Sequence, residues 1–212
     1  MAATSPSEVS RSPSGKGRGQ FLLLLVVFLG PLLVASLVYW QAGAWVRGAA
    51  GGHHGELLDP ARPLSSLPLQ TADGVDMGVK DLKGNWTLVY VGSPACPEGC
   101  RQALYRMRQA HKAQGRNIGR VRRLYMTQGA LPARSSRRFL KAEHPHLTVA
   151  RPRPEGEALA RFRVAGAADM EAPRGIYVVD PNGNLVLRYP QSAPAEGLLK
   201  DLETLLKHST IG

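Results

Sequence analysis

The feature that most constrains this chain is an uninterrupted apolar run near its start. Residues 21–40 read FLLLLVVFLGPLLVASLVYW and contain no charged side chain. As an α-helix rising about 1.5 Å per residue, this run covers roughly the 30 Å hydrocarbon core of a bilayer. A cleaved signal peptide is the alternative, because residues 42–44 (AGA) resemble a cleavage site, but signal peptides usually have apolar runs of only about 7–15 residues. The sequence therefore predicts one retained transmembrane helix.

The charges on either side of this run predict its orientation. Residues 1–20 carry three Lys or Arg, whereas residues 41–55 carry only Arg47. Cytoplasmic flanks of membrane helices hold more Lys and Arg than exported flanks do. The N-terminus is therefore predicted to lie in the cytoplasm, and everything after residue 40 is predicted to be exported.

Composition divides the rest of the chain into three segments. Residues 1–20 are polar and rich in Ser, Gly and Pro, which is typical of a disordered tail. Residues 41–63 contain the stretch GAAGGHHG and several prolines, and they are predicted to form a juxtamembrane linker. The pattern of a folded domain begins at residue 64 and is predicted to extend over residues 64–212.

Within that domain, strand-like and helix-like segments alternate. Strands are predicted from apolar, β-branched runs at 86–91, 121–127, 175–180 and 185–189, with a small hairpin of 67–71 and 79–82 ahead of them. Helices are predicted at 97–114, 133–143, 155–162 and 195–207. The Asn182-Gly183 pair predicts a tight turn between the last two strands. This order predicts an α/β fold in which helices flank a mixed sheet, parallel at its centre and antiparallel at the final hairpin.

The two cysteines of the chain occupy the most informative position in this pattern. Cys96 and Cys100 directly follow the strand at 86–91 and lie at the start of the helix at 97–114. Open α/β sheets place their functional sites at the carboxyl ends of such strands. Helical residues four apart have Cα atoms about 6 Å apart, which a disulfide accepts. In an exported domain such a pair is a structural bridge, a redox centre or a soft-metal site.

The residues around the pair favour chemistry over a static bridge. Pro97 suits the first position of a helix. The N–H groups at that helix end and the nearby Arg101 would stabilise a thiolate on Cys96, although Glu98 opposes this effect. A bridge across so short a loop adds little stability through chain entropy. Cys96 is therefore predicted to be the exposed, attacking thiol and Cys100 the resolving thiol.

The motif Cys96-Pro97-Glu98-Gly99-Cys100, behind an apolar N-terminal run, resembles that of the Sco/SenC family of thioredoxin-like cytochrome c oxidase assembly factors. The segment 176–184 (IYVVDPNGN) is similar to that of uncharacterised membrane proteins encoded beside oxidase biogenesis genes in proteobacteria. The resemblance implies a thioredoxin-like fold and a single-pass protein of the bacterial inner membrane, with its domain in the periplasm. It also implies a role in assembling the oxidase copper centre, with an oxidase subunit or another assembly factor as partner.

One departure from the family bears on copper. A histidine follows the family's Tyr-x-Val-Asp segment and completes a Cys₂His copper site, whereas Pro181 follows Asp180 here. Two thiolates can still hold Cu(I), a soft ion that accepts two ligands, and Met126 or Met170 could assist them. His111 would lie about 16 Å along the helix from Cys100, too far to share a metal. The remaining histidines are expected to be solvated rather than ligating: His53, His54, His144, His146 and His208.

Three functions follow from this pattern. The missing histidine favours a thiol–disulfide oxidoreductase that keeps the copper-ligand cysteines of the oxidase subunit reduced. The alternatives are a Cu(I) chaperone that uses both thiolates and a non-catalytic assembly scaffold. Pro173 could support the first, because thioredoxin-fold proteins place a cis-proline opposite their cysteines. The sequence leaves open whether Pro173 is that residue or an ordinary loop proline.

Basic residues are abundant on both sides of the predicted site. The chain carries 27 Lys and Arg against 16 Asp and Glu, a formal net charge of +11. This charge predicts either docking to an acidic partner or anionic lipid, or a solvated basic face. Nucleic acid is not expected as a partner of an exported, anchored domain. The basic residues in question are Arg101, Arg106, Arg108, Lys112, Arg116, Arg134, Arg137, Arg138 and Lys141.

Overall fold

The computed structural model describes residues 27–31, 36, 53–154, 157–164 and 173–211. The chain divides into two units, Met1–Arg47 and Gly48–Gly212. In the first unit, the described residues 27–31 and 36 are helical. Across the described parts of the chain, no helix has both the length and the apolar character needed to cross a bilayer. The predicted tail and most of the predicted membrane segment 21–40 lie outside the described residues.

The second unit is built on a mixed sheet that has eight strands among the described residues, in the order β1-β8-β7-β4-β5-β6-β2-β3. The central pairs β4–β5 and β5–β6 are parallel, and the other pairs are antiparallel. The predicted mixed α/β sheet is therefore confirmed. The strands are β1 (Glu56–Pro63), β2 (Leu69–Thr71), β3 (Asp76–Met77), β4 (Trp86–Gly92), β5 (Val121–Thr127), β6 (Leu147–Pro152), β7 (Gly175–Val179) and β8 (Asn184–Tyr189).

Helices cover this sheet and connect its strands. The helix that follows β4 and the final helix agree with the sequence prediction to within two residues at each end. The α-helices are α1 (Val79–Leu82), α2 (Glu98–Lys112), α3 (Arg134–Glu143) and α4 (Ala195–His208), and 3₁₀-helices occupy Gly115–Arg120 and Leu159–Phe162.

Strand β4 lies at the centre of the core and is buried along its whole length. Alternate side chains enter two apolar clusters, because successive residues of a strand face opposite sides of a sheet. Leu88 and Tyr90 belong to the cluster that also contains both cysteines and the inner residues of α2 and α4. Val89 belongs to the cluster that contains Met126. The cysteines and Met126 are thus separated by the sheet.

The structure corrects two predicted elements. The residues at 79–82 form the helical turn α1, and the hairpin partner of β2 is instead β3. An N–H group of Gly78 donates to the Asp81 carboxylate at 2.7 Å, which favours this turn over a strand. In place of the helix predicted at 155–162 there is a short 3₁₀-helix at Leu159–Phe162, and residues 155–156 lie outside the described residues.

Besides β3, two strands are absent from the sequence prediction. Strand β1 lies within the stretch predicted as a linker, 41–63, and pairs with β8. Its prolines are tolerated because an edge strand pairs on one side only. Strand β6 pairs in parallel with β5 although only part of its sequence, LTVARP, is apolar.

The start of β1 is fixed to the domain by the buried carboxylate of Asp201. Backbone N–H groups of His54 and Gly55 donate to this carboxylate at 2.7 to 2.9 Å, and the Tyr189 hydroxyl donates to it at 2.5 Å. Burial raises the pKa of Asp201, but these hydrogen bonds outweigh burial and hold the pKa below its usual value. The folded domain therefore begins before residue 64.

Candidate redox site

Cys96 and Cys100 form a disulfide at the carboxyl end of β4, with their Cα atoms 5.0 Å apart. Between β4 and α2 the chain makes a tight turn in which the Cys96 N–H donates to the Ser93 carbonyl at 3.0 Å. The Tyr125 hydroxyl donates to the same carbonyl at 2.5 Å. Cys96 has a positive φ of 42°, a conformation uncommon outside glycine. The turn thus directs Cys96 back toward the first turn of α2.

Helix α2 begins one residue later than predicted. Pro97 is its N-cap rather than its first helical residue, so Cys96 precedes the cap and Cys100 lies in the first turn. Among the described residues, no side chain caps this helix end. The positive end of the helix dipole therefore acts directly on the cysteine pair.

Both cysteines are buried, and the prediction of an exposed Cys96 is wrong. Cys96 is 4% exposed and Cys100 is 1% exposed. Helix α3 contributes to this burial, because its Leu140 belongs to the same apolar cluster as both cysteines, and a cavity of about 220 Å³ lies between α3 and Cys96. This cavity, called the cysteine cavity below, is lined by Cys96, Arg101, Ser135, Ser136, Phe139 and Leu140.

Helix α3 covers Cys96 through few contacts. Leu140 is its one buried residue, and every residue of this helix is described. The Arg101 guanidinium lies 5.3 Å from the centre of the exposed Phe139 ring, a cation–π contact between α2 and α3. Elements with little buried apolar contact open at low free-energy cost. Arg101, which the sequence predicted as a supporting residue, therefore lines the cysteine cavity from α2 and contacts α3 across it.

Two tyrosines lie in the core cluster that holds the disulfide. The ring centres of Tyr90 and Tyr125 are 5.4 Å apart, since the two residues are paired across the parallel strands β4 and β5. Burial raises the pKa of Tyr90 to about 12 and also raises the pKa of Tyr125. Both are therefore neutral phenols at neutral pH. The sequence prediction missed this pair, because strand register gives no signal in a single sequence.

Pro173 lies at the cysteine end of the sheet. Its carbonyl accepts a hydrogen bond from the Gln128 side chain at 2.7 Å, and the Gln128 N–H donates to the Gly92 carbonyl at 2.9 Å. Gln128 thus ties the end of β4 to the chain that enters β7. The peptide bond before Pro173 involves residue 172, which lies outside the described residues.

The structure overturns the inference drawn from Pro181. Strand β7 runs antiparallel to β4, so Gly175 pairs with Val91 near the cysteines and Val179 pairs with Thr87 at the other end. The Pro181 carbonyl accepts from the N–H of Gly84, which precedes β4. A residue at position 181 is therefore too far from the cysteines to complete their metal site.

The chain enters β7 at the cysteine end, and residues 165–175 contain one methionine, Met170, and no histidine. Residues 165–172 lie outside the described residues.

The other side chains considered as metal ligands in the sequence are held elsewhere. Met126 is buried on the opposite face of the sheet from the cysteines. The His111 ring contacts the carbonyls of Ile118 and Val121. Histidine 54 contacts Asp201 through Nδ1 at 3.1 Å rather than being purely solvated. No group of three His, Cys, Asp or Glu suited to a metal occurs in the described ranges. Among the described residues, the two cysteine thiolates remain as donors, a set that fits Cu(I) once the disulfide is reduced.

His144 was predicted to be solvated, and the structure buries it. Burial first, and then the positive charges of Arg123 and Arg108, lower its pKa to about 4. The imidazole is therefore neutral at neutral pH. It lines a different cavity from the one beside Cys96.

Residues 86–209 match the family model described as "Transmembrane-like, thioredoxin-like, C-terminal domain". No curated protein matches the chain in sequence. Among solved structures, apo Sco1 of Thermus thermophilus has a TM-score of 0.60 at 21% identity, covering 72% of this chain and 96% of that one. Copper-bound ScoI of Bradyrhizobium japonicum has a TM-score of 0.53 at 22% identity, covering 67% of this chain and 98% of that one.

A third structure, BsSco, has a TM-score of 0.54 at 16% identity and covers 73% of this chain and 99% of that one. It is described as a member of the Sco family of cytochrome c oxidase assembly proteins that has a disulfide switch. These low identities show that the fold is shared. The predicted thioredoxin-like fold and the resemblance to Sco proteins are thereby confirmed.

Proposed function

Because the chain belongs to the transmembrane-like, thioredoxin-like C-terminal domain family, we propose that it is a thiol–disulfide oxidoreductase acting through Cys96 and Cys100. The observation that carries this proposal is the place of the disulfide. The disulfide joins the end of the central strand β4 to the first turn of α2. It lies beside the cysteine cavity, whose wall α3 buries a single side chain. Open α/β sheets use this end of the sheet for their sites. A structural bridge gains little from a loop this short.

The exchange proceeds in two balanced steps. In the reduced protein, the Cys96 thiolate attacks one sulfur of a partner disulfide, and the other partner sulfur leaves as a thiolate. The Cys100 thiolate then attacks the Cys96 sulfur of the mixed disulfide and releases the second partner thiolate. The partner gains two electrons, and the protein ends with the Cys96–Cys100 disulfide. The described structure corresponds to this oxidised product.

The surroundings of the pair favour the thiolate form that the first step needs. The uncapped N-terminus of α2 and the Arg101 guanidinium both place positive charge near Cys96. Within the described chain, no carboxylate lines the cysteine cavity. Cys96 is the attacking residue because it lines this cavity, whereas Cys100 does not.

The proposal extends to location and partner. Residues 21–40 would anchor the protein in a bacterial inner membrane, with residues 1–20 in the cytoplasm and the folded domain in the periplasm. The partner would be a cytochrome c oxidase subunit or another assembly factor. The Sco proteins of the same fold support this role, since their family is described as assembling that oxidase. A shared fold alone does not decide function, so the partner needs a direct test.

Trapping the mixed disulfide tests the exchange. The reduced full-length protein, kept in non-ionic detergent, is mixed with an oxidase copper-subunit domain whose ligand cysteines are joined by a disulfide. We expect Cys100→Ser to accumulate a one-to-one mixed disulfide, because its resolving thiol is missing, and Cys96→Ser to accumulate none. The double variant is the control for non-covalent association. Equal trapping by both single variants, or by neither, would contradict the proposed roles.

A Cu(I) chaperone is the second candidate. Sco proteins of this fold have been solved with copper bound, and this chain holds Cys96 and Cys100 next to each other, with their Cα atoms 5.0 Å apart. Titrating the reduced protein with Cu(I) against a competing chelator separates the candidates. A tight one-to-one complex that is lost in Cys96→Ser would support metal transfer. No binding at stoichiometric Cu(I) would exclude it. Normal oxidase assembly in the double serine variant would leave only a scaffold function.

A further inference from the structure

A second, larger cavity lies on the other side of α3 from the disulfide. Its volume is about 690 Å³, which is in the range of ligand-binding cavities. Its walls are α3, the loop at 144–146, the first residues of β6, and the turn between β2 and β3. This cavity is called the basic cavity below. Leu140 lines both this cavity and the cysteine cavity.

The lining of the basic cavity is strongly positive. Among the described residues that line it, four are Lys or Arg and one, Asp73, is acidic. Arg138 and Lys141 are exposed to solvent, and Arg137 contacts the Ala72 carbonyl at 3.5 Å. The four cations all belong to α3: Arg134, Arg137, Arg138 and Lys141.

Unsatisfied polar groups lie next to this wall. His144 lines the cavity and is 4% exposed, and its Nδ1 has no hydrogen-bond partner in the described structure. Arg123, also 4% exposed, donates through Nη2 to the Pro145 carbonyl at 2.5 Å, but its Nε and Nη1 atoms have no such partner among the described residues. Buried cations are normally paired. The cavity therefore has an excess of positive charge that a ligand of negative charge would offset.

The shape of the cavity favours an extended polypeptide. One edge of β6 pairs with β5 at Leu147, Thr148 and Val149. The opposite edge pairs with β2 only from Ala150 to Pro152. Ala72 reaches Val149 through one hydrogen bond, and beyond it the chain turns away. In the described part of the sheet, this stretch of β6 has no strand neighbour on that side, although the Leu147 N–H donates to the His144 carbonyl at 3.1 Å, and the stretch lines the basic cavity. Extended peptides bind such edges through main-chain hydrogen bonds.

We propose that the basic cavity binds an extended, acidic segment of the protein that exchanges disulfides with Cys96. This inference rests on the proposed function for the identity of its partner. Carboxylates of the segment pair with the cations of α3, and its backbone lies along the edge of β6 at Leu147–Val149. A segment bound there contacts the same helix that covers Cys96. It therefore holds the partner beside the redox pair at the moment of exchange.

The probe is a pair of labelled eight-residue peptides, one alternating Glu with Val and the other alternating Gln with Val. Binding to the full-length protein is measured by fluorescence anisotropy at low salt. The test variant is Arg138→Glu with Lys141→Glu, both on the cavity wall. The matched control is Lys112→Glu with Arg116→Glu, which makes the same charge change at two exposed residues that do not line the cavity. Amide hydrogen exchange at Leu147–Val149 reports the docking mode.

The proposal predicts that the Glu peptide binds at least about tenfold more tightly than the Gln peptide. It also predicts that the test variant loses this preference, that the control keeps it, and that the bound peptide slows exchange at Leu147–Val149. Equal binding of both peptides, or an equal loss in both variants, would overturn it. Displacement by millimolar inorganic phosphate, or variant-sensitive binding to phosphatidylglycerol vesicles without peptide binding, would also overturn it and assign the cavity to a small anion or lipid.

This test and the trapping experiment fail independently. Loss of mixed-disulfide formation with peptide binding intact would reject the redox function and leave an acidic-peptide site. Normal trapping without peptide binding would reject the site and leave the redox function.

Discussion

Leu140 anchors α3 beside the disulfide, and replacing it should make reduction of the disulfide faster. In Leu140→Ala, α3 loses the one side chain that it buries in the described structure. The helix should then leave the turn at Cys96 more often, because little else fixes it there. Small reductants would reach Cys96 in this open state, although the rest of the fold remains intact.

The size of the effect follows from the setting of Leu140. Leucine-to-alanine changes in cores cost about 2–5 kcal/mol, with the low end at sites where neighbours are sparse. Leu140 is 2% exposed but borders two cavities, so about 2 kcal/mol is appropriate. If the substitution lowers the free energy of opening α3 by this amount, the population of the open state rises roughly 30-fold, since 1.4 kcal/mol corresponds to a factor of ten.

The assay is the rate at which dithiothreitol reduces the Cys96–Cys100 disulfide under native conditions. Free thiols are trapped at intervals with a maleimide of high mass and separated by electrophoresis. The matched control is Leu206→Ala in α4. Leu206 is also 2% exposed and belongs to the same core cluster, but it does not line the cysteine cavity. Both variants lose a buried leucine, and only one affects the cover.

The expected result is a rate about 30-fold above wild type in Leu140→Ala and a rate within about threefold of wild type in Leu206→Ala. Equal acceleration in both variants would mean that reduction requires global unfolding. An unchanged rate in Leu140→Ala would mean that α3 does not control access to Cys96. Either result would refute the reasoning.

Three further predictions concern stability. Burial first, and then Arg123, lowers the pKa of His144 to about 4. Between about pH 4 and 6.5, the folded state therefore binds fewer protons than the unfolded state, and the free energy of unfolding falls as the pH decreases through that window. His144→Gln should flatten this part of the curve of unfolding free energy against pH, and an unchanged slope would contradict it. The lowered pKa of Asp201 adds stability that is fully present above about pH 3.8, the ordinary pKa of an Asp, and is lost as the pH falls through the lower pKa of the folded state. Asp201→Asn should therefore cost about 3 kcal/mol at pH 7 in urea unfolding, and less as the pH falls below 3.8. Reducing the Cys96–Cys100 disulfide should cost only about 2 kcal/mol, because its loop is short, and a loss above about 5 kcal/mol would indicate a structural bridge.

The parts of the fold that could be predicted are those with a local cause. Strand β4 is a continuous apolar run, and α4 repeats leucines at helical spacing. The turn at Asn182-Gly183 and the adjacency of the two cysteines also depend on neighbouring residues. Each of these signals lies within about fifteen residues of sequence.

The parts that could not be predicted depend on distant partners. Strands β1 and β6 contain prolines and polar residues, and pairing with β8 and β5 makes them strands. Tertiary context commonly overrides such weak local preference. The burial of Cys96 has the same origin, because its cover is a helix some forty residues further along the chain.

The error at Pro181 has a different cause. The similarity around Asp180 is one of residue identity only. Such a motif does not reveal which end of its strand lies near the cysteines. The antiparallel direction of β7 places Gly175, rather than Pro181, at the cysteine end. Strand direction follows from topology and has no local signal.

The midpoint potential of the Cys96–Cys100 couple tests the redox function most directly. Equilibrating the full-length protein with glutathione or dithiothreitol buffers, and counting free thiols, gives its value. An exchanging pair should have a potential above about −300 mV, in the range of known oxidoreductases. A potential below about −300 mV would identify the disulfide as a structural bridge and contradict the proposed function.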